Sequence, residues 1–200
     1  MPAALQTAAD ELGKTGPVQV LVLPGWQGSG PGHWQSRWER THGYTRVEQH
    51  DWERPLRGDW TARLEEVLLD LPGAPVVLAA HSLGCLLVAA WAAHSRHTAR
   101  VAGALLVAPP DVSTPALQPA LASWASVPLQ RLPFPSVLVA SQDDPFCSLP
   151  RSGELAQAWG ADWVNAGCAG HLNADSGLGD WPEGHAHLLT LLARTDRQLA

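Results

Sequence analysis

The sequence predicts an α/β fold, a mostly parallel β-sheet with helices on both faces. Short apolar runs rich in β-branched residues recur along the chain, and Gly or Pro bounds them. Segments with helical spacing lie between these runs, and such alternation is typical of a layered α/β domain. The chain has 200 residues, of which 46% are hydrophobic and 16% charged, which is enough for one sizeable core. We therefore expect a single domain over residues 1–200.

The strands are expected where the apolar runs are short and continuous. They are 18–23, 75–80, 101–107, 136–140 and a short last strand at 161–165. The helices are expected at 33–41, 59–71, 83–94, 151–159 and 183–197, where apolar residues recur at helical spacing. In such a sheet the ligand site lies beyond the carboxyl ends of the strands, so the loops there are the candidates for chemistry.

Two segments break the alternation. Repeated prolines interrupt residues 109–135, although Leu117, Leu121 and Trp124 keep helical spacing, and this segment is predicted to form a short cap. Residues 167–184 are rich in glycine, which predicts a long functional loop.

Composition and charge exclude several classes of function. The net charge is -6 with no long run of one sign, so neither nucleic acid nor a membrane surface is an expected partner. No apolar run approaches the roughly 18 residues that a membrane span needs. Residues 1–16 lack the pattern of a secretory signal, which predicts a cytoplasmic protein. The three cysteines form no cluster, and His185 and His187 point to different helix faces, so we expect no metal and no cofactor.

The strongest local signal is the segment AHSLG at 80–84, which joins a predicted buried strand to a predicted helix. In a nucleophile elbow a serine occupies a strained turn of this kind, and the residues two places either side must be small. Ala80 and Gly84 meet that requirement, although Ala replaces the first Gly of the usual GxSxG pattern. Ser82 is therefore the predicted nucleophile, and the alternative is that it only caps the helix. His81 is expected to pack beside Ser82, because adjacent side chains point in divergent directions.

The chain after Ser82 supplies an acid and a histidine in the order that an α/β-hydrolase requires. Asp143 and Asp144 lie in the loop after the predicted strand 136–140. Either carboxylate could hold the imidazole, and the alternative is that both only shape a turn. His171 follows the last predicted strand and is the predicted general base.

Acyl transfer needs two N–H donors directed at the tetrahedral oxygen. The backbone N–H of Leu83, at the start of the predicted helix, is one candidate. The glycine-rich segment 24–30 supplies the other, the backbone N–H of Trp26, and its spacing argues against phosphate binding. Large indoles need either core space or a cleft to line, and His33 begins a helix beside the same segment. The candidate walls of the substrate pocket are Trp26, His33, Trp124 and Trp181.

Together these motifs resemble the small serine-hydrolase family that includes retinoblastoma-binding protein 9 and its bacterial relatives. The resemblance spans nearly the whole chain and rests on LPGWQGSG at 23–30 with HW at 33–34, HSLG at 81–84, SQDDP at 141–145 and GHLNADSGLGDWPEG at 170–184. It implies a reduced α/β-hydrolase fold and activity toward esters or related acyl groups. It also implies the triad Ser82, Asp144 and His171, with the second Asp of the pair as the acid.

We therefore expect a carboxylesterase-like serine hydrolase that cleaves a small ester or related acyl substrate through an acyl-enzyme. Its expected partner is that small molecule, and nothing in the sequence supports a protein partner. One alternative is an acyltransferase, in which an alcohol or amine replaces water on the same triad. Another is a binding module that uses a hydrolase scaffold without catalysis, and the intact set of triad residues argues against it.

Overall fold

A computed structural model of the protein describes residues 18–71, 73–115 and 117–199. In this part of the chain six parallel strands form one sheet, in the order β2-β1-β3-β4-β5-β6. The strands are β1 (Gln19–Leu23), β2 (Thr45–Arg46), β3 (Val76–His81), β4 (Val101–Val107), β5 (Ser136–Ala140) and β6 (Asp162–Asn165). The helices are α1 (Trp34–His42), α2 (Arg57–Asp70), α3 (Leu83–Ala92), α4 (Leu149–Trp159) and α5 (Pro182–Leu199). The predicted α/β class is confirmed.

Helices cover both faces of the sheet because successive side chains of a strand point to opposite sides. In β3, Val76 and Leu78 pack in a hydrophobic cluster with residues of α2, α3 and α4. Val77 and Ala79 pack in a second cluster with residues of α1 and α5. All six residues of β3 are buried, as expected of a strand that is covered on both faces.

The element bounds differ from the expected ones by one or two residues at most ends. The strands at 101–107 and 136–140 match the prediction residue for residue. Helix α4 begins two residues earlier than expected, because Ser148 caps it by accepting the Arg151 N–H and a proline lies in its first turn. Strand β2 was not predicted, since two residues are too few to show an apolar alternation.

The described part of the 109–135 segment contains one short 3₁₀ helix, Ala122–Trp124. Leu117, Leu121 and Trp124 are buried in the cluster that includes α2, α3 and α4. Trp124 Nε1 also donates to the carbonyl of Pro55, at 2.6 Å. The role of this segment as a cap stays a prediction.

Among the described residues, no helix is long and apolar enough to cross a membrane. Residues 1–16, on which the expected absence of a secretory signal rests, lie outside the described ranges. The cytoplasmic location therefore stays a prediction.

The strand order gives the sheet a defined place for a site. From β1 the chain proceeds to β2 on one side, and then returns to the other side for β3 and the strands beyond it. The loops after β1 and β3 therefore diverge, which leaves a crevice at their carboxyl ends. Ser82 follows β3 directly, and the glycine-rich segment 24–30 follows β1.

Candidate active site

Ser82 occupies a strained turn between β3 and α3. Its backbone has φ 52 and ψ -123, a conformation that is rare for residues other than glycine. It holds the N-cap position of α3, but its side chain makes no capping hydrogen bond. Its N–H donates to the Val107 carbonyl at 2.8 Å, which fixes the turn against β4. The hydroxyl is therefore not used as a helix cap.

Two glycines allow the turn to form. A Cβ at Gly84 would overlap the carbonyl oxygen of Leu23, because α3 passes directly over the end of β1. A Cβ at Gly25 would lie 2.7 Å from Ser82 Cβ. Ala80 stands where the usual pattern has glycine, and its methyl group is fully buried in the core. The departure from GxSxG is thus accommodated by packing.

His171 joins Ser82 to Asp144. Its Nε2 lies 2.9 Å from Ser82 Oγ, and its Nδ1 lies 3.0 and 2.9 Å from the two carboxylate oxygens of Asp144. The side chains of His171 and Asp144 are only 9% and 2% exposed, so the pair is shielded from water. Asp144 also accepts the backbone N–H of Phe146 at 2.9 Å, and the Phe146 ring packs edge-on against His171. The structure thus places the predicted nucleophile, base and acid in one hydrogen-bonded series.

Asp143 faces away from this series and organises the loop that carries His171. One carboxylate oxygen accepts the Ser141 hydroxyl at 2.7 Å and the Gly170 N–H at 2.8 Å. These hydrogen bonds, the Ser141 one first, lower the pKa of Asp143 below its ordinary value. The Ser141 hydroxyl in turn accepts the Ala169 N–H. Asp144 therefore contacts the imidazole while Asp143 shapes the loop, and the role of Asp144 as the acid stays a prediction.

The residues of the two predicted oxyanion donors, Trp26 and Leu83, line the same cavity as Ser82. Leu83 N–H begins α3, and Trp26 N–H follows Gly25, whose lack of a Cβ lets that loop approach the serine. Neither N–H donates to another backbone group in the described part of the chain. The Trp26 ring is held separately, by a hydrogen bond from Nε1 to the Glu53 carbonyl. Their role as an oxyanion hole stays a prediction.

Two further histidines lie beside His171. His33 caps α1 by accepting the Gln35 N–H on Nδ1, and His81 stands directly before Ser82. Burial lowers the pKa of His33 to about 3, and the charges of Arg46 and His171 add to that effect. Burial, with smaller effects of His33 and His171, holds the pKa of His81 well below its ordinary value. Both rings are therefore neutral near pH 7.

These residues surround a cavity of about 420 Å³. Its polar wall comes from the glycine-rich segment, from the histidines and from Asn173. Its apolar wall comes from residues that the sequence did not single out for binding, namely Pro110, Leu117, Leu121 and Phe146. Phe146 lies in the same short loop as Asp144, and that position is the signal that could have identified it.

The expected substrate-binding residues divide into two groups. Trp26 and His33 line the cavity, and their role in substrate binding stays a prediction. Trp124 and Trp181 do not, and the prediction for them needs correction. Trp124 is 1% exposed because it packs against Trp60, and Trp181 is 5% exposed because it packs against Trp34 and Trp38. Both indoles therefore lie in the hydrophobic core and not in the cavity wall.

His185 also has a local role in the described structure. Its Nε2 lies 2.8 Å from the Tyr44 hydroxyl, and its ring stacks on His42 with centroids 4.2 Å apart. The part of the chain that the structure describes contains no group of three or more His, Cys, Asp or Glu side chains able to hold a metal.

Comparisons with known proteins agree with this architecture. A family model described as serine hydrolase matches residues 20–190. No curated protein matches the sequence. Among solved structures, a YdeN-like hydrolase from Pectobacterium atrosepticum is 27% identical, with 96% of this chain and 99% of that one covered and a TM-score of 0.78.

Two more distant structures share the fold alone. The ydeN gene product of B. subtilis is 22% identical over 88% of this chain and 98% of that one, with a TM-score of 0.70. The esterase RhEst1 from Rhodococcus sp. ECU1013 is 14% identical over 90% and 92% of the two chains, with a TM-score of 0.63. With the first structure, they confirm the predicted α/β-hydrolase fold.

The neutral histidines make stability depend on pH. Between pH 6.5 and about 3, the unfolded chain takes up a proton on His33 that the folded protein does not bind. The free energy of unfolding should therefore fall as the pH falls, by up to about 1.4 kcal/mol per pH unit for each such group. Urea unfolding at several pH values measures the slope. His33→Gln should make it shallower in this range, and an unchanged slope would contradict the assignment.

Proposed function

This chain belongs to the serine hydrolase family, and we propose that it hydrolyses a small uncharged ester or related acyl compound through an acyl-enzyme on Ser82. The observation that supports this most directly is the series Ser82 Oγ, His171 and Asp144, with its two hydrogen bonds of 2.9 Å on opposite nitrogens of one imidazole. Such an arrangement recurs on unrelated folds that share nucleophilic acyl chemistry.

In the first step Ser82 Oγ attacks the carbonyl carbon of the substrate, and its proton passes to His171 Nε2. Asp144 holds the Nδ1–H of the ring, so the lone pair on Nε2 faces the serine. The same carboxylate stabilises the imidazolium as it forms. Because Asp144 is almost fully buried, little water competes for this interaction.

The negative charge that develops on the carbonyl oxygen needs donors fixed in advance. The backbone N–H groups of Trp26 and Leu83 are proposed to supply them, since both residues line the cavity beside Ser82 and Leu83 begins a helix. His171 then returns its proton to the leaving group. In the second half of the reaction His171 activates a water molecule, which attacks the acyl-enzyme and releases Ser82.

The cavity supports a small and neutral substrate. Its volume of about 420 Å³ lies toward the lower part of the usual range for ligand sites, roughly 300 to 1,000 Å³. Among the described residues that line it, none is Asp, Glu, Lys or Arg. Leu117, Leu121 and Phe146 offer apolar contact for a short hydrocarbon group, so we propose that the 109–135 segment acts as the short cap.

Replacing the nucleophile tests the proposed function. Ser82→Ala should lower kcat/KM for p-nitrophenyl acetate by roughly a thousandfold or more, because the acyl-enzyme can no longer form. Circular dichroism and thermal unfolding should show an intact fold. An active-site serine probe should label the wild type alone. Wild-type turnover in the folded variant would exclude Ser82 as the nucleophile.

The two neighbouring aspartates provide a matched pair. Asp144→Asn should reduce kcat by about 10⁴, since an amide no longer fixes the tautomer or stabilises the imidazolium. Asp143→Asn should have a much smaller effect, because its carboxylate contacts Ser141 and Gly170 and not the imidazole. Steady-state kinetics of both folded variants measure the difference. The reverse ranking would assign the acid to Asp143.

Substrate length tests the proposed size of the pocket. Across p-nitrophenyl esters, kcat/KM should be highest for short acyl chains and should fall by about eight carbons. A deep apolar channel would instead add up to about 0.8 kcal/mol for each methylene that it buries. A steady rise of kcat/KM to long chains would show that the cap opens into such a channel.

A further inference from the structure

His81 is the last residue of β3 and the residue directly before Ser82. Its side chain is 5% exposed and lies among three other rings. The centroid of the His33 ring is 4.6 Å away, that of His171 is 4.9 Å away, and the Trp34 ring meets it edge-on. The proposed reaction assigns no role to this buried imidazole.

His81 makes one side-chain hydrogen bond of defined direction. Its Nε2 lies 2.9 Å from the backbone oxygen of His171. A carbonyl oxygen can only accept, so the proton must be on His81 Nε2. Since burial keeps the ring neutral, Nδ1 carries no proton, and the tautomer is fixed by a residue 90 positions away in the chain.

The loop that carries His171 has no regular structure to hold the residue in place. Gly170 and Leu172, on either side of it, both have positive φ, at 55 and 49. Side chains from other elements therefore fix this part of the loop. Trp34 Nε1 donates to the Leu172 carbonyl at 2.9 Å, and His81 donates to the carbonyl of His171 itself.

The hydrogen bond from His81 joins different parts of the site than the hydrogen bond from Trp34 to Leu172. It connects the backbone of the proposed base to the residue covalently attached to the proposed nucleophile. It leaves both imidazole nitrogens of His171 for Asp144 and Ser82. A displacement of about 1 Å between reacting groups can cost roughly a hundredfold in rate. The hydrogen bond from His81 acts on such a distance, the one between His171 Nε2 and Ser82 Oγ.

We propose that His81 is a positioning residue, whose Nε2–H bond to the His171 carbonyl sets the distance between His171 Nε2 and Ser82 Oγ. The proposal rests on the proposed function, in which that distance governs proton transfer. His81 lines the cavity, but its Nε2–H bonds the His171 backbone and not the atoms between which the proton passes. Its effect should therefore be on kcat and on the rate of serine acylation, with little effect on KM.

Amide side chains of two lengths test the proposal. In His81→Gln the amide nitrogen is as many bonds from the backbone as Nε2 of histidine, whereas in His81→Asn it is one bond short. We expect His81→Gln to keep kcat within about fivefold of the wild type. We expect His81→Asn and His81→Leu to lose roughly thirtyfold to a hundredfold in kcat, with KM changed less than about threefold.

Trp34→Phe is the control, because it removes the neighbouring hydrogen bond to Leu172 but keeps an aromatic ring beside His81 and keeps the hydrogen bond from His81 to the His171 carbonyl. It should reduce the unfolding temperature while kcat stays within about threefold. If His81→Leu does not fold, the Gln and Asn variants decide. Equal kcat values for those two, or an effect of Trp34→Phe as large as that of His81→Asn, would overturn the proposal.

Nitrogen-15 NMR of the histidine rings separates this proposal from the proposed function. The wild type and Ser82→Ala should both show His81 protonated on Nε2 and bare on Nδ1. A proton on Nδ1 would overturn the positioning role, whatever the activity. A wild type that hydrolyses no ester and binds no serine probe, but keeps the Nε2–H signal, would instead refute the proposed function and leave the hydrogen bond in place.

Discussion

The close passage of two backbones at the end of β1 is the constraint on which the site depends. At Gly84 the start of α3 crosses the carbonyl of Leu23, and at Gly25 the loop after β1 meets the Ser82 side chain. Neither position has room for a Cβ, so a larger residue at either one would force the serine turn and the end of β1 apart. The positive φ of Ser82 is strain held by that contact and by the N–H bond to β4. The switch in strand order between β1 and β3 supplies the crevice. The two glycines let the loop after β1 approach the Ser82 hydroxyl.

Around that turn, residues of the same type make different contacts because their surroundings differ. Asp144 is buried against an imidazole, while Asp143, one residue earlier, is exposed and holds backbone N–H groups of the His171 loop. His171 has a carboxylate on one nitrogen and a hydroxyl on the other, whereas His33 and His81 are neutral and hold backbone groups. A charged ring at either position would oppose the imidazolium that the reaction forms on His171. Because burial keeps those two rings neutral, they place no positive charge beside the imidazolium of the proposed base.

The sequence was informative where chemistry follows from local pattern. Buried parallel strands are continuous apolar runs, so the strands at 101–107 and 136–140 could be delimited to the residue. The AHSLG segment predicted the strained turn at Ser82. Pattern fails where the outcome depends on distant packing. An indole such as Trp181 suits a cleft or a core equally, and only the position of Trp34 and Trp38 decides. The residues alone did not decide whether Asp143 or Asp144 contacts the imidazole, because the loop geometry that turns one carboxylate toward His171 does not follow from the order of the residues. The contact of His81 with a carbonyl 90 residues away leaves no trace in spacing.

The position of β6 gives the proposed nucleophile and base unequal local stability. Ser82 follows β3, a central strand that is buried throughout, whereas the His171 loop follows β6, which pairs with β5 alone in the described sheet. The side chains of β6 are largely exposed, and Trp163 is 43% exposed, so opening this edge uncovers little apolar surface. Local opening free energies follow such burial, and exposed edges open before central strands. Mild heating would then inactivate the protein by fraying one edge of the sheet, with the serine turn still folded and able to recover when the edge closes.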